Sequence, residues 1–261
     1  MDENQQRRRQ NEMDIAPDIW KEERLIESFD VDVLGRLRPQ TLFAYLLNSA
    51  WNHARGTNYG HDELSARNLM WVLIKMEMHI KRVPLWGERI SIETWGKRIV
   101  RLYALRDFVI TSEAGEKLVS ATSSWMILDR TSGRPQRFYQ KSDSFPWQLG
   151  RDEIETNLDK VEELKGSIEL ARFFVLFSDI DVNRHVNSAR YLQWMMDSHS
   201  YEHLSSTEAG SIELSFLSEA LQNDEVTVLS EEMGDRELCS VRRTADGKEL
   251  CRARFEWHRS Q

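Results

Sequence analysis

Between Phe177 and Asn187 the chain reads Phe-Ser-Asp-Ile-Asp-Val-Asn-Arg-His-Val-Asn, which sets Asp181, Asn183 and His185 at every second position just ahead of a run with helical periodicity. In an extended segment these three side chains would share one side. Three polar groups gathered there, between apolar Ile180, Val182 and Val186, are costly to bury without a role. Residues of these types can move a proton and orient a water. The same residues also suit a capped turn, with Asp181 and Asn183 in turn bonds and Asn187 capping the helix. Composition does not choose between the two.

The elements that must position this cluster read as two similar halves. An extended element over Glu23–Val33, closed by Leu34-Gly35-Arg36, precedes a helix over Pro39–Thr57. Leu42, Leu46, Ala50 and Ala54 recur every four positions there, and Pro39 and Gly56 suit its ends. Strands follow at Met70–Ile80, Arg89–Arg98, Leu102–Thr111 and Leu118–Asp129, the last two joined by a turn at Ser112-Glu113-Ala114-Gly115-Glu116. A polar, helix-prone stretch at Asp152–Lys165 links the halves. The order then repeats: a strand at Leu170–Phe177, a helix from Asn187 to Leu204, and strands at Ser211–Leu217, Glu225–Glu232, Leu238–Thr244 and Leu250–His258. An α+β chain built by internal duplication is the economical reading. Its divisions are a polar disordered tail over residues 1–18, one unit at 19–150, a linker at 151–166 and a second unit at 167–261.

Composition excludes several classes of function. A formal charge of −8 disfavours nucleic acid as a partner. No stretch approaches the ~18 apolar residues needed to span a bilayer. Asp2, Glu3, Glu12 and Asp14 argue against a transit peptide, so a cytoplasmic protein is expected. Cys239 and Cys251 are expected to be reduced and structural. His53 sits at a helix end and reads as structural. His61, His79, His199, His203 and His258 share no ligand spacing, so neither metal nor cofactor is expected.

The run Asp181-Val-Asn183-Arg-His185-Val-Asn187, followed by Tyr191 and Trp194, resembles the Asp-x-Asn-x-His-Val-Asn signature of the acyl-ACP thioesterases of plants and bacteria. Further matches fall in the family's order: Trp51-Asn-His-Ala54, Asn68-Leu-Met-Trp71-Val72, Pro84-Leu-Trp86-Gly87, Glu93-Thr-Trp95 and Ser123-Ser-Trp125. The resemblance runs from about residue 22 to near the end of the chain. It implies a double (tandem) hotdog, each half an antiparallel sheet wrapped around a long helix, and hydrolysis of fatty acyl-acyl carrier protein. It also implies catalytic roles for Asp181, Asn183 and His185, joined by a Glu that the family's spacing places at Glu219, 34 residues after His185.

Plant members carry a Cys after that Glu; here the position is Ala220, so water must attack unless a carboxylate does so directly. Partial burial would give Glu219 the proton affinity a general base needs. Asp181 would fix the His185 tautomer, and free N–H groups at the helix start near Asn187 would face the developing oxyanion. Whether Glu219 or His185 is the base stays open, with Glu219 favoured.

By the same resemblance the acyl chain lies in the first half, with Leu46, Ala50, Trp71, Leu73, Met76 and Met78 as candidate lining, though for any single one of them ordinary core packing is the favoured reading. The carrier protein is acidic, so Lys97, Arg98, Arg101 and Arg106 form a candidate docking cluster. Competing readings are an acyl-CoA thioesterase, a hotdog dehydratase and a non-catalytic acyl-binding protein. Chain length and oligomeric state, a homodimer included, stay open.

Overall fold

The computed structural model describes residues 18–55, 57–137, 147–148 and 150–259. Residues 1–17 of the polar tail expected over 1–18, and the helix stop at Gly56, lie outside the described residues. Strand β1 (Trp20–Leu25) ends earlier than the extended element expected over Glu23–Val33. The Asp30 carboxylate accepts from the Glu27 N–H, and Asp30 N–H returns to the Glu27 carbonyl, so residues 27–30 close a turn.

Helix α1 (Pro39–Arg55) then buries Leu42, Phe43, Leu46, Ala50 and Ala54 along one stripe. Pro39 opens it at a position whose N–H would have no intrahelical partner. A six-residue helix, α2 (His61–Ala66), is too short for periodicity to announce and has no counterpart in the sequence reading. Strands β2 (Leu69–Ile80), β3 (Arg89–Val100), β4 (Tyr103–Ser112) and β5 (Lys117–Asp129) follow, with a short β6 (Pro135–Gln136) on β5.

The second half comprises β7 (Ile168–Phe174), a 3-10 turn at Phe177–Asp179, α3 (Ser188–Asp197), α4 (Tyr201–Ser206), β8 (Thr207–Phe216), β9 (Glu225–Met233), β10 (Arg236–Arg243) and β11 (Glu249–Arg259). The single helix expected from Asn187 to Leu204 is two. Ser198 Oγ donates back to the Trp194 carbonyl, and Ser200 Oγ accepts from the His203 N–H to start α4.

All the strands form one antiparallel sheet, ordered β1-β3-β4-β5-β2-β8-β11-β10-β9-β7, with β6 beside β5. Read inward from either edge the order is the same, β1 matching β7, β3 matching β9, and so on to β2 and β8, which pair at the centre. Met76 and Met78 of β2 share one continuous core with Phe43 and Leu46 of α1 and with Leu192 and Met195 of α3. Helices α1 and α3 pack on each other within it.

Lys75 alternates with Met76 and so faces the other side of the sheet, where it pairs with Glu213 at 2.6 Å. That face is covered by the segment linking the halves. The helix expected at Asp152–Lys165 does not form; the segment is a non-helical strap. Its carbonyls are taken by side chains from the sheet: Lys97 on Ile154, Lys75 on Asp159, Arg252 on Val161. Its Glu153 and Val161 N–H groups donate to Asp107 and Ser215. A helix would turn those groups inward on itself, so tertiary partners override a local preference.

Candidate active site

The segment carrying the sequence cluster is not extended. Asp181 N–H donates to the His185 carbonyl at 2.8 Å, Arg184 N–H donates to the Asp181 carbonyl, and Arg184 takes a φ of +66°. Asp181 Oδ1 accepts from the backbone N–H of Asn183 at 2.8 Å and of His185 at 3.3 Å. Asp181 therefore holds the backbone on which the other two sit, and its contact with His185 is to the peptide, not to the ring whose tautomer it was expected to fix. Asn183 and His185 nonetheless lie half-buried between exposed Val182 and Arg184, so the loop still turns them inward. Asn187 caps α3 by accepting from the Ala189 N–H, so the helix start expected to offer free donors already spends one on its own cap.

The partner of the His185 ring is Glu219, with Nε2 3.1 Å from Oε2. Glu219 lies just beyond β8, and its backbone is held twice: Arg243 Nη2 donates to its carbonyl at 3.0 Å, and the next residue, Ala220, donates its N–H to Tyr191 Oη at 2.9 Å. Tyr191 stands on α3 between Trp194 and Phe216, edge-on to both rings. The residues quoted with the signature thus tie the helix to the carboxylate's loop. The expected desolvation is not seen, since the Glu219 side chain is 53% exposed and that of His185 32%. Asn183 Oδ1 accepts from Arg130 Nη2 at 2.8 Å, an interaction nothing in the sequence announced.

The first half contains the same loop. Asp32 Oδ1 accepts from the N–H groups of Leu34 and Arg36, Asp32 N–H donates to the Arg36 carbonyl, and Gly35 takes a φ of +75°. Asp30 and Asp179 likewise each cap the turn before it. Superposing these bonds puts Leu34 where Asn183 stands and Arg36 where His185 stands. The β-turn bonds at Leu85–Glu88 and Leu221–Asp224 correspond in the same way and put Val83 opposite Glu219. Both halves keep the carboxylate that builds the turn; only the second carries an amide, an imidazole and an acid upon it.

An apolar cavity of about 40 Å³ lies in the first half, at the C-terminal end of α1, with Ala50, Ala54, Tyr59, Trp71 and Trp125 in its wall. Of the six candidate lining residues, Ala50 and Trp71 reach it, whereas Leu46, Leu73, Met76 and Met78 lie in the core. Trp71 is on β2 two residues from Leu69, whose carbonyl accepts from Arg130, the residue that also touches Asn183. A second cavity, of about 540 Å³, sits beside the first-half loop, where Arg36 spans to the Leu204 and Thr207 carbonyls and to Glu208.

The basic cluster expected for docking is split: Lys97 and Arg106 are buried, whereas Arg98 is partly exposed and Arg101 is exposed. Lys97 is buried against Asp107, Arg106 donates to buried His53, and Arg98 pairs with Asp152. Tertiary folding also gathers residues that no spacing had linked: His199 Nε2 lies 2.9 Å from both Glu237 oxygens, and Ser230, Trp257 and Cys239 also donate to that carboxylate. Burial works against Glu237, but these donors and the His199 charge bring it down to about 2. Burial pushes both cysteine thiols up, which keeps them protonated.

Two half-sheets, each wrapped on its own helix and joined edge to edge, with a polar loop armed in one half alone, define a double hotdog protein. The first half matches the model of the acyl-ACP thioesterase N-terminal domain over residues 17–142. The second matches that of the acyl-ACP thioesterase C-terminal domain over residues 162–259. The chain belongs to the acyl-ACP thioesterase family. It is 26% identical to a palmitoyl-acyl carrier protein thioesterase, chloroplastic, of Gossypium hirsutum, over 89% of this chain. It is 24% identical to an acyl-[acyl-carrier-protein] hydrolase, chloroplastic, of Cuphea viscosissima, over 92% of this chain. The chain spans 62% of the length of each of these two relatives. A crystal structure of an acyl-ACP thioesterase from Bacteroides thetaiotaomicron shares the fold with a TM-score of 0.83 and 26% identity, covering 92% of this chain and 98% of that one. Among the described residues no helix is long and apolar enough to cross a membrane.

Proposed function

We propose that this chain hydrolyses fatty acyl thioesters of acyl carrier protein, releasing free fatty acid and the carrier's thiol. The observation that carries the reading is the His185–Glu219 contact at 3.1 Å beside an amide of fixed orientation, present in one half and missing from its duplicate. In this reading water adds to the thioester carbonyl as Glu219 takes its proton, and His185 shares that proton through the Nε2–Oε2 hydrogen bond. The carbonyl oxygen, negative in the tetrahedral intermediate, is met by the Asn183 amide hydrogens. Collapse breaks the carbon–sulfur bond, and the proton held by the pair passes to the departing sulfur. Asp181 builds the turn and touches no reacting atom.

The halves divide the work: residues 19–150 hold the chain and 167–261 the chemistry, joined by 151–166. The apolar lining at Ala50 and Trp71 suits the first assignment in character, each buried methylene contributing ~0.8 kcal/mol of affinity, but at about 40 Å³ the cavity must widen to admit a fatty chain. Release of free thiol from acyl carrier protein and from acyl-CoA, measured across chain lengths at matched concentration, tests the proposal. Faster turnover of the carrier-protein substrates is expected. Equal or faster turnover of acyl-CoA would shift the assignment to an acyl-CoA thioesterase, and no turnover of either would overturn it.

A further inference from the structure

We infer that Arg130 is a positioning residue for hydrolysis, supplied by the first half to the second, and that it makes Asn183 a dedicated hydrogen-bond donor. This rests on the role given to Asn183 above. Arg130 directly follows β5; its Nη2 donates to Asn183 Oδ1 at 2.8 Å and to Ser65 Oγ at 3.3 Å, and its Nε donates to the Leu69 carbonyl at 3.1 Å. Its own N–H donates to the Asn68 carbonyl. The guanidinium is thus moored to α2 and to the start of β2 before it reaches across to the loop.

The consequence follows from donor chemistry. An amide oxygen and nitrogen can exchange places by a half-turn about the last side-chain bond, and only the surroundings decide between them. A guanidinium has five N–H donors and no acceptor, so only the oxygen can face it. Asn183 Oδ1 is therefore spent on Arg130, and Nδ2 has no partner among the described residues. An unanchored asparagine could accept from the attacking water, donate to the carbonyl oxygen, or alternate between the two. Here it can only donate, and a cation on its oxygen draws electron density from the N–H bonds and strengthens them as donors toward an oxyanion. The first-half loop has Leu34 at the equivalent position, which offers no oxygen to hold.

The test is a double-mutant cycle between Arg130→Met and Asn183→Ala, read by steady-state thiol release and by melting temperature. Arg130→Met is expected to lower kcat ~10–100-fold with KM changed less than about threefold, below the ~10²–10³ that removing an oxyanion donor costs, because the amide stays and only its aim is lost. In the Asn183→Ala background the same change is expected to alter kcat by less than about threefold, because the group it aims is gone. Arg130→Lys keeps a donor and should recover part of the rate, though it loses the fork that reaches three partners. An equal loss in both backgrounds would overturn the inference and leave Arg130 a structural residue. Full activity of Arg130→Met beside an impaired Asn183→Ala would also overturn it while sparing the site. A fully active Asn183→Ala would remove the role of Asn183 and this inference together.

Discussion

Glu219→Gln separates chemistry from architecture at this site. Glutamine has nearly the same shape and keeps an oxygen that can accept from His185 Nε2, so the 3.1 Å contact can persist. What holds the loop is untouched, because Tyr191 binds the Ala220 N–H and Arg243 binds the Glu219 carbonyl, both backbone groups. With the side chain 53% exposed, the change in stability should stay within about 0.5 kcal/mol, or ~1–2 °C in melting temperature for a chain of this size. Loss of a general base costs ~10²–10⁴ in rate, or about 3–5 kcal/mol in the barrier. The expected result is therefore a collapse of kcat in an enzyme that melts where the parent does. Thiol release at saturating acyl-acyl carrier protein, with a melting curve on the same preparation, checks both halves of the claim. A kcat within about threefold of the parent would refute the base assignment. A fall in melting temperature beyond about 5 °C would refute the account of how the loop is held.

Asp181→Asn retains an oxygen for the two N–H groups it accepts and should keep activity within about tenfold, whereas Asp181→Ala loses both bonds and should lose activity and ~1–3 kcal/mol of stability; equal inactivation of the two would show that Asp181 carries a proton. Lys97→Met strands the buried Asp107 carboxylate and frees the Ile154 carbonyl of the strap, so melting should fall by ~6–20 °C, from ~3–5 kcal/mol for a broken buried pair; a shift under about 2 °C would refute the strap's anchoring. The His199–Glu237 pair gives a pH signature. Burial opposes the His199 charge, but Glu237 outweighs it and raises the imidazole above its ordinary value, while Glu237 itself is held at about 2. The imidazole's contribution is complete below its unfolded value near 6.5 and is lost as pH rises through the folded one; the carboxylate's is complete above its unfolded value near 4.5 and is lost as pH falls toward about 2. Denaturant unfolding should show the gap between the parent and Glu237→Gln widest between about pH 4.5 and 6.5, and a gap that grows steadily to pH 9 would contradict the pairing.

Much was legible in the chain itself. The period-four stripe from Leu42 to Ala54, the alternation through Met76 and Met78, and the repeated order of elements point to a duplicated α+β chain, because helix and strand periodicities are local properties of a sequence; the double hotdog itself came from the family resemblance. The cluster at Asp181, Asn183 and His185 was visible because its residue types recur at fixed spacing. Other features were decided only by the tertiary structure. Residues 152–165 have a helical composition, yet Lys75, Lys97 and Arg252 claim their carbonyls, and those three arrive from distant strands. Asp181 proved a turn builder because one carboxylate oxygen reached two backbone N–H groups, a geometry that composition allowed but did not select. Arg130 lies 53 positions from Asn183, and Tyr191 lies 29 from Ala220. No local pattern encodes such pairs; they meet because a sheet duplicated and joined edge to edge brings the end of β5 against the loop that precedes α3.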